Sequence, residues 1–191
     1  MLYELAHTLQ AKMPWIWTGV EALNAALCGL KIGDREKLVR FFPLGIRMAD
    51  INDAGLLADF FARQPEESFK WFKPHDFDEA TMRTLLGRKS YIIYVMEDND
   101  EIIGYAFLRC FMNGKCFLGK IVDVNHQGKG VCTKLCAVGM NIAVKIGFRM
   151  FESINKDNIG SMKASQKACD VIVVEELEGG DLLIEDRPRK I

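Results

Sequence analysis

The segment Gln127-Gly128-Lys129-Gly130-Val131-Cys132 joins two glycines to the start of a helical pattern. It lies between a β-rich run, Cys116 to Val124, and a helical run, Val131 to Ile146. The first turn of a helix has backbone N–H groups without intrahelical partners, at the positive end of the helix dipole. Glycines let such a backbone approach an anion closely, because they lack a Cβ atom. The segment therefore predicts a phosphate-binding loop, although a plain turn before a helix has the same residues.

The size of the chain fits one globular domain with an appendage. It has 191 residues, of which 49% are hydrophobic and 27% are charged, proportions that are typical of globular proteins. The formal net charge of -1 argues against a dedicated nucleic-acid binder, which usually has an excess of basic residues.

The N-terminal sequence and the length of the apolar runs indicate where in the cell the protein is expected. Met1 to Gln10 carries Glu4 and His7 and lacks the cationic start and apolar run of a secretory signal. No run of 18 or more apolar residues occurs in the sequence, so we expect no membrane span. From these observations we expect a cytoplasmic protein.

Six cysteines are present, and they form no C-x-x-C pair, so we expect no metal site. Cys110 and Cys116 flank Asn113-Gly114, a dipeptide that predicts a two-residue type I′ turn. That turn would pair Cys110 with Phe117 and place the two cysteines on opposite faces of the sheet. We expect all six to be reduced thiols, most of them buried.

Residues 1–42 predict a helical N-terminal extension. Apolar residues recur at helical spacing in two stretches, Leu2 to Leu9 and Val20 to Leu30, with Pro14 between them. The extension could pack on its own domain, form a dimer or partner surface, or touch a membrane interface.

Residues 43–191 predict a second unit of mixed α/β structure. The expected order of elements is β, α, α, β, β, β, α, β, α, β, β. The three central strands follow one another through tight turns and must be antiparallel. The strands on either side of the helix at 131–146 should be parallel, through a right-handed crossover. The loop at 127–132 lacks both the Rossmann and the P-loop spacing.

The chain resembles the GCN5-related N-acetyltransferase (GNAT) superfamily. Gln127-Gly128-Lys129-Gly130 is similar to the family's Q/R-x-x-G-x-G/A motif, which binds the pyrophosphate of acetyl-coenzyme A. Further similarities lie in the first strand at 46–54, in the hairpin at 101–105 and in Asn158-Ile159-Gly160-Ser161, which begins a helix beside the pantetheine arm. The resemblance covers roughly residues 43–186 and implies a GNAT-like acyl-CoA N-acyltransferase fold.

The resemblance also implies the residues that bind the cosubstrate, acetyl-CoA. Two strands splay apart in this family, and the pantetheine arm inserts between them as an additional strand. The implied contacts come from the end of one strand, the phosphate loop and the last helix: Ile121, Val122, Val124, Gln127, Gly128, Lys129, Gly130, Val131, Cys132, Asn158 and Ser161. Asn158 could equally act as a helix cap.

Transfer to an amine requires a base to remove its proton and a donor to stabilise the oxyanion. Asp123 and Glu152 are the candidate bases, because they lie on the strands expected to splay. His126 is interpreted as a loop residue near phosphate. Two residues depart from the family pattern: Cys132 replaces the last small residue of the loop motif, and Ser165 replaces a tyrosine that often protonates the departing thiolate in the family. Ser165 is therefore the third candidate catalytic residue, although a serine is a poorer acid than a tyrosine.

The expected reaction is acetyl transfer from acetyl-CoA to a primary amine of a small molecule, such as an amino sugar or an amino acid derivative. Phe69, Trp71, Phe72 and His75 would supply aromatic surface for the acceptor or belong to the core. Three alternatives remain open: a protein N-acetyltransferase, a non-catalytic acyl-CoA-binding or protein-interaction member of the fold, and a homodimer through the N-terminal helices.

Overall fold

The computed structural model describes residues 14–35, 37–38 and 42–189, and for residues 14–17 it describes the backbone alone. From residue 43 onward the order of helices and strands is the predicted one. The elements are α1 (Pro14–Ile32), β1 (Ile46–Met48), α2 (Ala54–Ala62), α3 (Glu79–Gly87), β2 (Tyr91–Asp98), β3 (Glu101–Cys110), β4 (Lys115–Val122), α4 (Val131–Ile146), β5 (Arg149–Asn155), α5 (Ile159–Ala168), β6 (Asp170–Glu176) and β7 (Asp181–Arg187).

The N-terminal helix α1 packs on the sheet with one face. Glu21 on this face forms ion pairs with Arg88 (2.6 Å) and Arg109 (2.8 Å). Asn24 donates to the carbonyl of Cys110 (3.0 Å) and accepts from the N–H of Met112 (2.8 Å). Helix α1 is therefore attached at the β3–β4 hairpin.

The opposite face of α1 is apolar and exposed, at Val20, Leu23, Leu27 and Leu30. Such a face is what a dimer through α1 would use, and the homodimer stays a prediction. Helix α1 begins at Pro14, the residue that the sequence places between its two helical stretches, and proline suits the first turn of a helix. The helix predicted at Leu2 to Leu9 lies outside the described residues. None of the described helices is long and apolar enough to cross a membrane.

All seven strands form one mixed sheet in the order β1-β2-β3-β4-β5-β7-β6. Neighbouring strands are antiparallel except for β4 and β5, which run parallel on either side of the crossover helix α4. This arrangement confirms the predicted parallel pair. Strands β4 and β5 pair at only three positions, the last being Phe117 with Phe151, and beyond this pair they separate.

The predicted turn between β3 and β4 is wrong. Cys110 pairs with Cys116 rather than with Phe117, and the N–H of Phe111 donates to the carbonyl of Lys115 (2.8 Å). Only Gly114 in this turn has a positive φ (78°), whereas a type I′ turn needs two such residues. The connection is a three-residue loop with glycine in the left-handed position, so the two cysteines share one face of the sheet. Both are buried, and all six thiols of the chain are free.

Two apolar clusters cover the two faces of the sheet. Helix α4 covers one face, with Leu135, Ile142 and Ala143 fully buried against the strands. Helices α2 and α3 cover the other face with an aromatic cluster that includes Phe60, Phe61 and Tyr105. The two faces are therefore sealed by different helices, while the gap between β4 and β5 lies between them.

Gly139 of α4 allows the closest approach of that helix to the sheet. A Cβ atom at this position would lie 2.6 Å from the hydroxyl of Tyr94, which is fully buried and donates to the carbonyl of Leu135 (2.8 Å). We expect Gly139→Ala to lower the free energy of unfolding by about 1–3 kcal/mol, as in other overpacked cores. Urea unfolding measures this loss.

Two further variants test the cause of that loss. Gly87→Ala at the end of α3, where a Cβ atom meets nothing within 4 Å, should not destabilise the protein. Adding Tyr94→Phe to Gly139→Ala should make the combined loss smaller than the sum of the two single losses. Additive losses would contradict a clash with the Tyr94 hydroxyl.

Candidate functional site

A cleft of about 570 Å³ opens where β4 and β5 separate. Strand β4 lines it from Leu118 to Val122, β5 from Glu152 to Asn155, and the loop before α4 closes one end. Beyond the Phe117–Phe151 pair, β4 has no partner strand on its β5 side, so its backbone N–H and C=O groups on that side face the cleft. The cleft thus offers a strand edge to an extended ligand.

The glycine loop forms one end of this cleft as predicted. Gly128 and Gly130 adopt the left-handed conformation, with φ of 75° and 81°, which favours glycine. Nothing lies within 4 Å of a Cβ atom built on either one. Helix α4 begins at Val131 without a side-chain cap. The N–H groups of its first turn are therefore open at the cleft.

Cys132 and Asn158 lie on the two helices that border the cleft. Cys132 in the first turn of α4 is half-buried, and burial raises the pKa of its thiol. The side chain of Asn158 caps α5 by accepting from the N–H of Ser161 (3.2 Å). The cap uses the amide oxygen of Asn158, and the amide N–H donors of this side chain are left for a ligand.

Asp123 is held from several sides after the end of β4. Its carboxylate accepts from Gln64 (3.0 Å) and from the N–H of Asn125 (2.9 Å), and it contacts His126 (3.2 Å) and Arg63 (3.5 Å). Burial raises the pKa of Asp123, but these hydrogen bonds outweigh it and lower the pKa to about 2. These contacts favour a structural role for Asp123, because a carboxylate with so low a pKa is a weak base.

Glu152 and Ser165 belong to a buried polar cluster on the α4 face of the sheet. Glu152 forms an ion pair with Lys120 of β4, and both side chains are 3% exposed. Ser165 of α5 donates to Glu152 (2.9 Å) and accepts from Lys120 (3.2 Å). Cys136 of α4 donates to the same carboxylate (3.3 Å). The structure therefore brings together Glu152 and Ser165 of the three candidate catalytic residues and keeps Asp123 apart from them.

Asp186 of β7 borders this cluster. Both of its carboxylate oxygens are buried, and no N–H or O–H group among the residues the structure describes donates to them. Burial and the charge of Glu152 raise the pKa of Asp186 to about 9. Asp186 is therefore protonated at neutral pH, which removes one negative charge from the cluster.

Lys120 is the residue that sequence reasoning missed. Burial opposes its charge, but neighbouring Glu152 outweighs burial and raises the pKa of Lys120 above its usual range, so it is an ammonium ion. A signal was present in the sequence. Lys120 is a charged residue among the buried side chains of β4, and Glu152 is one among those of β5. Opposite charges on buried faces of adjacent strands indicate an ion pair.

The far end of the cleft is formed by the turn at Glu66–Phe69 and the residues after it. Glu67, Ser68, Trp71 and Phe72 line the cleft here, and Trp71 is 40% exposed. Phe69 and His75 pack instead with Phe61 and Phe77. Of the predicted aromatic acceptor surface, Trp71 and Phe72 reach the cleft and the others belong to the core.

No cluster of three or more His, Cys, Asp or Glu side chains that could hold a metal ion occurs within residues 14–35, 37–38 and 42–189. The polar groups that line the cleft include backbone amides, His126, the Lys120–Glu152 pair and the carboxylate of Glu67. This set suits charge stabilisation and proton transfer.

Comparison with known proteins agrees with this geometry. Residues 57–170 match the family model described as acetyltransferase (GNAT) family, which covers well over half of the chain. The chain therefore belongs to the GNAT family of acetyltransferases. No curated protein sequence matches it.

Solved structures share the fold at low identity. The GNAT domain of S. lividans PAT has a TM-score of 0.65 at 17% identity, covering 73% of this chain and 88% of that one. The paia N-acetyltransferase of Thermoplasma acidophilum, in complex with coenzyme A, has a TM-score of 0.62 at 15% identity, covering 74% and 97%. The ribosomal-protein-S5-alanine acetyltransferase of Vibrio fischeri has a TM-score of 0.60 at 17% identity, covering 75% and 91%.

The Lys120–Glu152 pair gives a prediction about stability. Lys120→Met leaves the carboxylate of Glu152 buried without its cation, and we expect it to lower the free energy of unfolding by about 3–5 kcal/mol. Adding Glu152→Gln removes the second charge and should restore most of the loss, because apolar or neutral replacements of a whole pair are often tolerated.

Urea unfolding of the two variants at pH 7 measures both effects. Lys134→Met, the same substitution at an exposed position of α4, is the matched control and should change the stability little. An equal loss in the single and the double variant would show that the pair itself stabilises the fold.

Proposed function

We propose that this protein transfers an acetyl group from acetyl-CoA to the primary amine of a small molecule. The observation that carries the proposal is the uncapped start of α4, with two left-handed glycines, at the end of a cleft bordered by an unpaired strand edge. The first feature suits a pyrophosphate, and the second suits the amides of a pantetheine arm. Membership of the acetyltransferase family supports the same reaction.

Cosubstrate binding would run along the cleft from the loop to the Lys120–Glu152 pair. The N–H groups from Gly128 to Cys132 would face the pyrophosphate, with Lys129 and Gln127 beside it. Ile121 and Val122 would offer main-chain groups to the pantetheine arm, whereas Val124, also expected there from the sequence, donates its N–H to Gln64 (3.1 Å). Asn158 and Ser161 would border the arm from α5. The thioester would then lie at the inner end, between β4 and β5.

Glu67 is our proposed partner for the acceptor amine. Of the two carboxylates that line the cleft, Glu152 has both oxygens bonded to Lys120, Ser165 and Cys136. Glu67 is exposed, and its carboxylate forms no hydrogen bond or ion pair with the residues that the structure describes. Its free oxygens can bind the acceptor as an ammonium ion and accept a proton from it, directly or through water.

The acceptor class follows from the same end of the cleft. Trp71 and Phe72 offer ring surface beside one carboxylate, which suits a compact amine with a ring or an apolar portion. The described lining there has no series of charged residues that would follow a peptide chain. An amine-acceptor panel with acetyl-CoA, assayed by thiol release, tests the proposal. It should include small amines and a peptide with a free N-terminus, and release by the peptide alone would favour a protein acceptor.

A non-catalytic acyl-CoA-binding role is the second candidate. Two observations favour it: Cys132 places a side chain in the phosphate loop, and Ser165 is buried against Glu152 where the family has a tyrosine. This candidate predicts binding of acetyl-CoA without thiol release across the whole panel. Release with any amine would exclude it.

The glycine loop gives a prediction about cosubstrate affinity. Gly130→Ala adds a side chain at a φ of 81°, which strains the loop and tilts its N–H groups away from phosphate. We expect the Kd for coenzyme A to rise roughly tenfold or more, the effect of losing about 1.4 kcal/mol. Isothermal titration calorimetry measures the change.

The matched control is at the other end of the same helix. Gly147→Ala replaces a glycine with a φ of 70° and open space around it, outside the cleft. It should cost similar stability and leave the affinity for coenzyme A unchanged. Equal weakening by both variants would contradict phosphate binding at the loop.

A second prediction concerns the acceptor end. Glu67→Gln removes the proposed ammonium-binding charge, and we expect the KM of the acceptor to rise roughly tenfold, with the KM of acetyl-CoA unchanged. Glu66→Gln, at the neighbouring exposed residue outside the cleft, is the control. Steady-state kinetics with the best amine of the panel measures both, and equal effects of the two variants would contradict a specific role of Glu67.

A further inference from the structure

Lys120 is a buried cation on the wall of the cleft. Lys120 of β4 is one of the residues that line the cleft, and its side chain is 3% exposed. The two other lysines of the lining, Lys163 and Lys167, are exposed on α5. Charge is costly to bury, and a buried charge beside a ligand cleft indicates a functional use of its field.

Lys120 retains one donor for a ligand. A lysine ammonium has three N–H donors, and two of them reach Glu152 and Ser165. The third has no hydrogen-bond partner in the part of the chain that the structure describes. An incoming acceptor atom in the cleft would complete the hydrogen bonds of Lys120.

The polar and titratable groups around Lys120 come from β5, α5, β7 and α4. Strand β5 contributes Glu152, α5 contributes Ser165, and β7 contributes Asp186, which is protonated at neutral pH. Helix α4 contributes Cys132 and Cys136, whose pKa values are raised, so that both are neutral thiols. Glu152 is the one anion of the group, and its two oxygens point into the donors Lys120, Ser165 and Cys136.

We propose that the third N–H of Lys120 binds the sulfur of the coenzyme A thioester and stabilises the thiolate that leaves during acyl transfer. This inference rests on the proposed function and adds a catalytic residue to it. In the step, the acceptor first gives one proton of its ammonium form to Glu67 or water; the neutral amine nitrogen then bonds to the thioester carbon and loses a second proton to water. The carbon–sulfur bond breaks, and its electron pair passes to sulfur. Lys120 keeps its proton and shares it in an N–H···S hydrogen bond.

The other groups of the cluster are less suited to this task. The hydroxyl of Ser165 is committed to Glu152 (2.9 Å) and carries no charge. Cys132 and Cys136 are neutral thiols without a positive charge to offer. A cation next to sulfur stabilises a thiolate most directly, as it does for cysteine thiolates beside lysine or arginine. Ser165 and Glu152 act as positioning residues that hold Lys120.

The pKa of bound coenzyme A tests the proposal without an acceptor. The thiolate absorbs in the ultraviolet, and desulfo-coenzyme A, which lacks the thiol group, serves on the same protein as the blank for the adenine and the protein thiols. We expect the wild-type protein to lower the pKa of the bound thiol by about one to two pH units relative to free coenzyme A, as an opposite charge nearby does.

The variant for this test is Lys120→Met combined with Glu152→Gln, because the single variant leaves a buried unpaired carboxylate. The double variant should bind coenzyme A and return the pKa of its thiol close to that of the free compound. Lys134→Met on the exposed face of α4 is the matched control and should keep the lowered pKa. Calorimetric binding and the near-ultraviolet circular dichroism spectrum verify that each variant is folded.

The outcomes separate this inference from the proposed function. A bound thiol with the pKa of free coenzyme A in the wild-type protein would overturn the role of Lys120 while leaving cosubstrate binding intact. A lowered pKa that persists in the double variant would assign the effect to another group, such as the start of α4, and would overturn it as well. A wild-type protein that does not bind coenzyme A would refute the proposed function and this inference together.

Discussion

The separation of β4 and β5 is the constraint on which the site depends. The two strands are parallel and pair at only three positions, and beyond them each is held by its other neighbour, β3 or β7. A strand edge in a protein interior normally needs a partner, because unpaired backbone groups are costly to bury. Here the edge faces a cleft, where water or a ligand can satisfy it. The same separation makes room for the loop before α4 at one end and Trp71 at the other.

The gap between the strands is bridged by polar residues. Lys120 reaches across to Glu152 on the α4 face, and Ser165 joins them. A buried ion pair is weak evidence for stability, since desolvation offsets much of the attraction. The role of this ion pair is to hold a positive charge beside the cleft. On the other face, Asp123 is clamped by Gln64 and the N–H of Asn125, which fixes the course of the chain from β4 into the glycine loop.

Much of the fold was predictable from local signals. The Gln127–Gly130 loop, the extent of α4 and the cap at Asn158 each depend on a few neighbouring residues, and each appears in the structure as predicted. The hairpin at Asn113-Gly114 was not predicted correctly, because two turn types share that dipeptide. In the observed register Asn113 does not have a positive φ, and the side chain of Asn24, 88 residues away in α1, accepts from the N–H of Met112. A shift of one residue then moved Cys116 to the same face as Cys110.

By itself, the sequence determined the family, the order of the elements and the glycine loop before α4, because periodicity, capping and glycine placement act over a few residues. The tertiary structure alone decided which charged groups share the cleft. Asp123 follows β4 and Glu152 lies within β5, yet one is tied to the loop and the other to a buried lysine. Those partners lie 59 residues from Asp123 in the case of Gln64 and 32 residues from Glu152 in the case of Lys120. Their meeting is set by strand pairing and helix packing, which no local pattern encodes.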